Sequence, residues 1–231
     1  MKLTAYKNSV WKKCFDLFNK CIQNALEFAE NGLCEAYESE SPAKTEYAVN
    51  SRYLHRGFYC PSPVHRYVVS NSRKGKILKR LTKRSQVTHL YKYNTEGNIY
   101  YIEYYIGDYL NAREYIVWED NIRYGYIFNH SRELSAVSAE IYEGGLLREY
   151  VWTYCYNFST SRDGWQAFEF NYEAYTYTDS LVSSFVFCRV ALIEEDFNLT
   201  QDASQLVDLE KYRTICENDQ IVDIRSVAWE P

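Results

Sequence analysis

Between Tyr47 and Thr95 this 231-residue chain contains no aspartate or glutamate. Other absences narrow the field before any motif is considered. No stretch approaches the ~18 consecutive apolar residues that a membrane-spanning helix needs, so no membrane partner is expected. The opening MKLTAYKNSVWKKC lacks an apolar run followed by a small-residue cleavage site, which points to a cytoplasmic chain. The seven cysteines are odd in number and scattered, with no Cys-x-x-Cys. They read as reduced thiols and not as a disulfide framework or a zinc finger. The nine glycines stand singly or at turns, so no glycine-rich phosphate loop is present. No Gly-x-Ser-x-Gly elbow occurs either.

What is abundant is tyrosine: 24 Tyr beside 11 Phe and 5 Trp, against four Pro and one Met. A large ring with a water-tolerant hydroxyl suits strands that have one wet face, and it also serves binding surfaces. With 46% hydrophobic and 25% charged residues, the composition is that of a folded globular chain.

The first 34 residues predict an amphipathic helix. Val10, Cys14, Leu17, Phe18, Cys21, Ala25 and Phe28 recur at three- and four-residue steps, forming one apolar stripe. Asn8 or Ser9 would cap it and Gly32 would end it. Residues 35–46 read as a polar loop. From residue 47 the pattern turns to strands. Val64–Ser70 and Lys76–Leu81 form an expected hairpin, and His89–Tyr93 and Asn98–Tyr105 form a second, joined by an Asn94–Gly97 turn. Ala112–Trp118, Ile122–Phe128, Ala136–Tyr142, Leu146–Phe158, Trp165–Tyr177 and Leu181–Glu194 continue the series. Asp202-Ala-Ser-Gln205 could cap a short helix over 203–213, with a last strand over Ile221–Trp229. The expectation is one domain over 1–231, mainly β within the α+β class. Its N-terminal helix would pack on a large antiparallel meander (47–195), followed by a short helix and final strand (196–231).

The run Tyr91-x-Tyr93-Asn94-x-x-Gly97-x-Ile99 resembles the repeat of tyrosine–aspartate β-hairpin proteins of bacterial toxin systems and related antitoxin-like proteins, with Asn94 in place of the usual Asp. The resemblance covers nine residues. It implies meander geometry and an immunity-type setting.

The charge layout carries the functional expectation. The acid-free stretch Tyr47–Thr95 holds eleven of the 26 Lys and Arg; the other fifteen, set against all 31 Asp and Glu, leave the rest of the chain at −16. Such asymmetry gives a molecule two electrostatic faces. The leading expectation is a non-catalytic protein that binds a basic partner, as an immunity protein occludes a toxin, through an acidic, aromatic sheet face. Trp118, Tyr124, Tyr126, Glu140, Tyr142, Glu149 and Trp152 are the expected contacts. The alternative is nucleic-acid binding by the basic hairpin 64–84, through Arg73, Lys74, Lys79 and Arg80. A hydrolase assembled from dispersed acids and histidines is a third reading.

Other constellations weigh less. Cys60 and Arg66 have the Cys-x5-Arg spacing of cysteine phosphatases, but Pro61 and Pro63 remove backbone donors that such a loop uses. His55, Cys60 and His65 lack a fourth ligand and any zinc-finger spacing. No catalytic residue, metal or cofactor is assigned.

Overall fold

The computed structural model describes residues 3–53, 55–69, 73–82, 85–153, 159–160, 166–193 and 207–229. The protein is mainly β, an antiparallel meander with an N-terminal helix packed on it. Its helices are α1 (Leu3–Glu30), α2 (Leu33–Ser39) and α3 (His65–Val68). The strands are β1 (Lys44–Val49), β2 (Lys76–Ile77), β3 (Val87–Tyr93), β4 (Ile99–Ile106), β5 (Tyr109–Glu119), β6 (Ile122–Asn129) and β7 (Leu134–Glu143). They continue with β8 (Leu146–Thr153), β9 (Ser159–Thr160), β10 (Gln166–Thr178), β11 (Leu181–Ile193), β12 (Val207–Glu217) and β13 (Gln220–Ser226). The chain divides into two compact units, one of residues 21–138 and one of residues 1–20 with 139–231.

In the 21–138 unit the strand order is β2-β1-β3-β4-β5-β6-β7. Cross-strand partners share a face, so Tyr101, Tyr115 and Tyr126, paired in turn across β4, β5 and β6, form a ladder on one side. Phe28 of α1 lies 5.4 Å from the Tyr115 ring and 5.8 Å from Tyr126. The apolar stripe of the helix therefore finds an aromatic floor. The other side carries Tyr91, Ile102 and Ile116 in a buried cluster with Ala48 and Tyr93, closed over by Phe58 and Tyr59.

In the other unit the order is β7-β8-β10-β11-β12-β13, with β9 paired to β10. The first half of α1 buries Val10, Trp11, Cys14, Leu17 and Phe18. Phe18 meets Phe170 edge-on at 4.5 Å, and Lys13 bonds both Glu149 oxygens at 2.7 and 2.8 Å.

The Asn94–Gly97 turn forms as the sequence predicts. Gly97 takes φ 83 and donates to the Asn94 carbonyl at 3.1 Å. Asn94 Oδ1 accepts from the N–H groups of Glu96 and Asn98. Four local expectations are corrected. Helix α1 begins at Leu3, before Asn8 and Ser9. Residues 35–39 of the expected loop belong to α2 and residues 44–46 to β1; Cys34 is buried and Tyr37 reaches Phe28 at 5.1 Å, so tertiary contact overrides the polar local sequence. The strand expected over Val64–Ser70 is not found over residues 64–69: His65–Val68 makes one helical turn with Val64 and His65 buried, His65 lying 4.5 Å from the Tyr53 ring. Without that strand the expected 64–81 hairpin does not form, and β2 pairs with β1 instead. Residues 207–213 belong to strand β12 and not to a helix; the proposed cap at 202–205 lies outside the described residues.

Candidate functional site

Where the end of α1 passes β5 and β6, a groove of about 290 Å³ opens, lined by Asn24, Glu27, Phe28, Asn31, Leu33, Val117, Trp118, Glu119, Tyr124 and Tyr126. Tyr124 and Tyr126 are buried side chains of its floor, whereas Trp118 is 50% exposed and Leu33 40%. Large apolar side chains half in water are the kind that anchor an interface. The charged lining residues, Glu27 and Glu119, are both acidic. The Arg123 guanidinium lies over the Trp118 ring, 5.2 Å from its centroid, so that indole already receives a cation of this chain.

Behind the groove's sheet, on the face away from the tyrosine ladder, lies a buried polar cluster. Glu114, fully buried, sits on β5. His55 Nδ1 lies 3.2 Å from its Oε1, the Arg56 N–H donates to its Oε2 at 2.8 Å, and the Tyr104 hydroxyl donates to that same oxygen. Burial alone would raise the Glu114 pKa, but His55, the Arg56 charge and the Tyr104 hydroxyl hold it below the ordinary carboxylate value. Tyr91 OH donates to the Arg56 carbonyl at 3.1 Å and accepts from the Phe58 N–H at 2.9 Å. These bonds fix Arg56 at φ 58, a left-handed conformation that costs a non-glycine residue about 1–2 kcal/mol.

Two glycines make the cluster possible. A Cβ on Gly125 would stand 2.5 Å from Glu114 Oε1 and 2.6 Å from Ser138 Oγ, and one on Gly57 would stand 2.4 Å from His89 Nε2. His89 is stacked on Tyr91 and lies edge-on to Tyr104. Burial pushes the His89 pKa from 6.5 down to about 4, against a smaller upward pull from Glu114. Burial, aided by the neighbouring His55, does the same to His65. Both rings are neutral at pH 7. The whole arrangement pins the loop between β1 and β2 to the sheet.

That loop, β2 and the residues just after it carry a group of exposed cations. Arg52, Arg73, Lys74, Lys76, Lys79 and Arg80 are all exposed. Among the described residues none of the six forms an ion pair. Lys74 lies over the Phe58 ring at 4.8 Å. Some of the acids, by contrast, are taken up inside the fold. Glu114, Glu140 and Glu173 are fully buried. Glu46 accepts from Tyr59 at 2.5 Å and Tyr93 at 2.6 Å and pairs with Lys44. Those donors outweigh its burial and bring its pKa down to about 2.

Of the residues expected to contact a partner, Trp118, Tyr124 and Tyr126 come together in the groove. Glu140, Tyr142, Glu149 and Trp152 belong to the other unit. There the Tyr142 hydroxyl bonds Glu140 at 2.5 Å, Trp152 donates to Glu173 at 3.2 Å, and half-buried Glu149 is held by Lys13 and Tyr172. Tyr124, Tyr126, Glu140 and Trp152 are buried, so of the seven only Trp118, Tyr142 and Glu149 reach the surface of their units. Arg73, Lys74, Lys79 and Arg80 are exposed, as nucleic-acid contacts need to be, but on an edge strand and its flanks and not on a hairpin. Cys60 ends a short 3-10 turn and Arg66 sits in the single turn of α3. Among the described residues, no three His, Cys, Asp or Glu gather as metal ligands, and no helix is long and apolar enough to cross a membrane.

Sequence reasoning missed the Glu114 cluster, although one signal marked it. A lone glycine inside the β6 run signals close approach. The spacing Glu-x-Tyr recurs at 103/105, 140/142, 173/175 and 210/212, and each time the tyrosine hydroxyl bonds the carboxylate two residues before it. No protein family, curated protein or solved structure matches this chain.

Proposed function

We propose that this chain is a non-catalytic protein-binding protein that captures a basic partner, in the manner of an immunity protein occluding a toxin, through the groove between α1 and strands β5 and β6. The observation that supports this reading is the groove's composition: an aromatic floor, a half-exposed Trp118, exposed Leu33, and charged lining from Glu27 and Glu119 alone. A cationic side chain entering it would place its apolar stem against Trp118 and its charge near two carboxylates. Complementary charge speeds encounter, and a desolvated aromatic anchor slows release.

The test combines capture with substitution. Tagged protein from host lysate should retain one basic protein at unit stoichiometry. Trp118→Ala should weaken that complex by about 30-fold or more, the loss typical of a hot-spot residue at ~2 kcal/mol. Glu27→Lys with Glu119→Lys should slow association and abolish its salt dependence. A partner held equally by all three proteins would refute the assignment of the groove.

A further inference from the structure

We infer that the exposed edge of the sheet at β2 is a binding surface for single-stranded nucleic acid, separate from the groove. The inference starts from an imbalance that folding does not repair. Eleven cations fall in a stretch without one acid, and folding could have neutralised them against acidic strands. It does so for Lys92, which pairs with Glu103, and for Arg56, buried beside Glu114, but Arg52, Arg73, Lys74, Lys76, Lys79 and Arg80 are exposed and, among the described residues, outside any ion pair.

The backbone gathers these six into one place. Val49 pairs with Lys76 and Ala48 with Ile77, the Leu78 N–H donates to the Tyr47 carbonyl at 2.8 Å, and the Arg52 N–H donates to the Arg73 carbonyl at 2.7 Å. The segment 73–78 therefore runs along β1 as the terminal strand of its sheet, with Arg52 brought beside Arg73. The run from residue 73 to residue 78 spans roughly 17 Å at ~3.3 Å per residue, and Lys79 and Arg80 follow at a bend, so the cations form a track and not a point. A track of cations matches a chain of phosphates.

Aromatic rings choose the single strand over the duplex. Phe58, Tyr59 and Tyr67 are partly exposed on the loop before β2. Lys74 already covers Phe58, and the Arg66 guanidinium lies 4.5 Å from the Tyr67 ring centroid, so both rings sit among the cations. Unstacked bases pair with such faces, whereas a duplex keeps its bases stacked inside. The Glu114 cluster serves this surface by clamping His55 and Arg56, which fixes the loop that carries Arg52 and Phe58.

The experiment measures anisotropy of a fluorescent dT12 with the full chain at 50 and 200 mM salt, beside a 12-base-pair duplex and poly-glutamate of equal charge. Six phosphate contacts at a slope of about −0.7 each predict a roughly 300-fold loss of affinity across that range. The triple variant Arg73→Gln, Lys79→Gln, Arg80→Gln keeps three contacts and should lose only about 20-fold over the same range. All three sites are exposed, and an unchanged circular dichroism spectrum confirms the fold. Phe58→Leu should weaken dT12 without changing the salt slope. Trp118→Ala should leave dT12 binding intact, which separates this surface from the groove. Absence of binding, an affinity indifferent to salt, or a wild-type slope in the triple variant would overturn the inference. Equal affinity for duplex would overturn the stacking argument, and equal affinity for poly-glutamate would point to an acidic protein instead.

Discussion

Lowering the pH from 7 to 5 should destabilise the protein by about 4 kcal/mol, because two buried imidazoles must stay neutral for the chain to fold. Burial holds His65 and His89 at about 4, against 6.5 for the free side chain. A base whose folded pKa is depressed binds its proton first in the unfolded state. Stability is therefore full above pH 6.5 and drains away as the pH falls toward 4. By linkage each ring contributes about 2 kcal/mol of loss at pH 5. Glu114 acts in the same direction but at lower pH, since a carboxylate held below its ordinary pKa loses its stabilisation as the pH falls from that ordinary value to the lowered one.

Urea denaturation at half-unit steps between pH 7.5 and 4.5 reads this directly as a falling midpoint. His89→Gln supplies the control. The ring packs over Gly57 and between Tyr91 and Tyr104, so the substitution lowers stability at every pH, but the slope between pH 6.5 and 5 should fall by half. The slope is the informative quantity, because packing losses do not titrate. A flat profile from pH 7 to 5, or an unchanged slope in His89→Gln, would falsify the claim that these rings are buried neutral.

Gly125→Ala pushes a methyl group against Glu114 and Ser138. Overpacking and a disturbed carboxylate network together should cost about 2–5 kcal/mol in urea unfolding. Gly97→Ala meets open space at φ 83 and should cost only about 1–2 kcal/mol; a reversal of that order would refute the close approach at Gly125. Asn94→Ala removes the acceptor for two turn N–H groups, a loss of about 1–2 kcal/mol that should also speed amide exchange at Glu96 and Asn98. Above pH 10 the protein should lose stability steeply. Burial raises Tyr6 and Tyr212 to about 12 and carries Tyr91, Tyr101 and Tyr115 upward as well. The unfolded chain then ionises first, so tyrosinate absorbance at 295 nm should rise in one step with loss of the β signal.

The parts of this fold that were legible in sequence are those set by local periodicity. Val10, Cys14, Leu17 and Phe18 predicted the buried stripe of α1 because helical spacing alone puts them on one side. The β3–β4 hairpin was legible because Asn94 and Gly97 build their turn from their own atoms. The failures share a cause. Tyr37 and His65 settle their segments through Phe28 and Tyr53, residues distant in sequence or invisible to a window. The seven expected contacts were chosen as aromatics and acids on strands. Period 2 does assign them to faces, but it does not reveal which face another element covers. Thus Trp118 emerged at the surface while Tyr124 and Trp152, equally aromatic and equally on strands, were buried.

Net charge alone does not set the field at any one surface. An acidic total suggests a molecule that repels polyanions, yet a carboxylate that accepts hydroxyl bonds beneath the sheet contributes little to the outer field. Glu114, Glu140 and Glu173 are of that kind, and Glu46, which borders the basic stretch on its N-terminal side, is tied to Lys44, Tyr59 and Tyr93. At physiological salt the Debye length is ~8 Å, so an exposed acid beyond that reach barely offsets a cation at the β2 edge. The field that an incoming polymer meets there is set by Arg52, Arg73, Lys74, Lys76, Lys79 and Arg80. Neutralising Glu27 and Glu119 at the groove should accordingly leave oligonucleotide affinity at 150 mM salt within about twofold, while each cation removed from the edge lowers it. If removing those two distant acids strengthened oligonucleotide binding tenfold, the net charge and not its local arrangement would govern what this surface attracts.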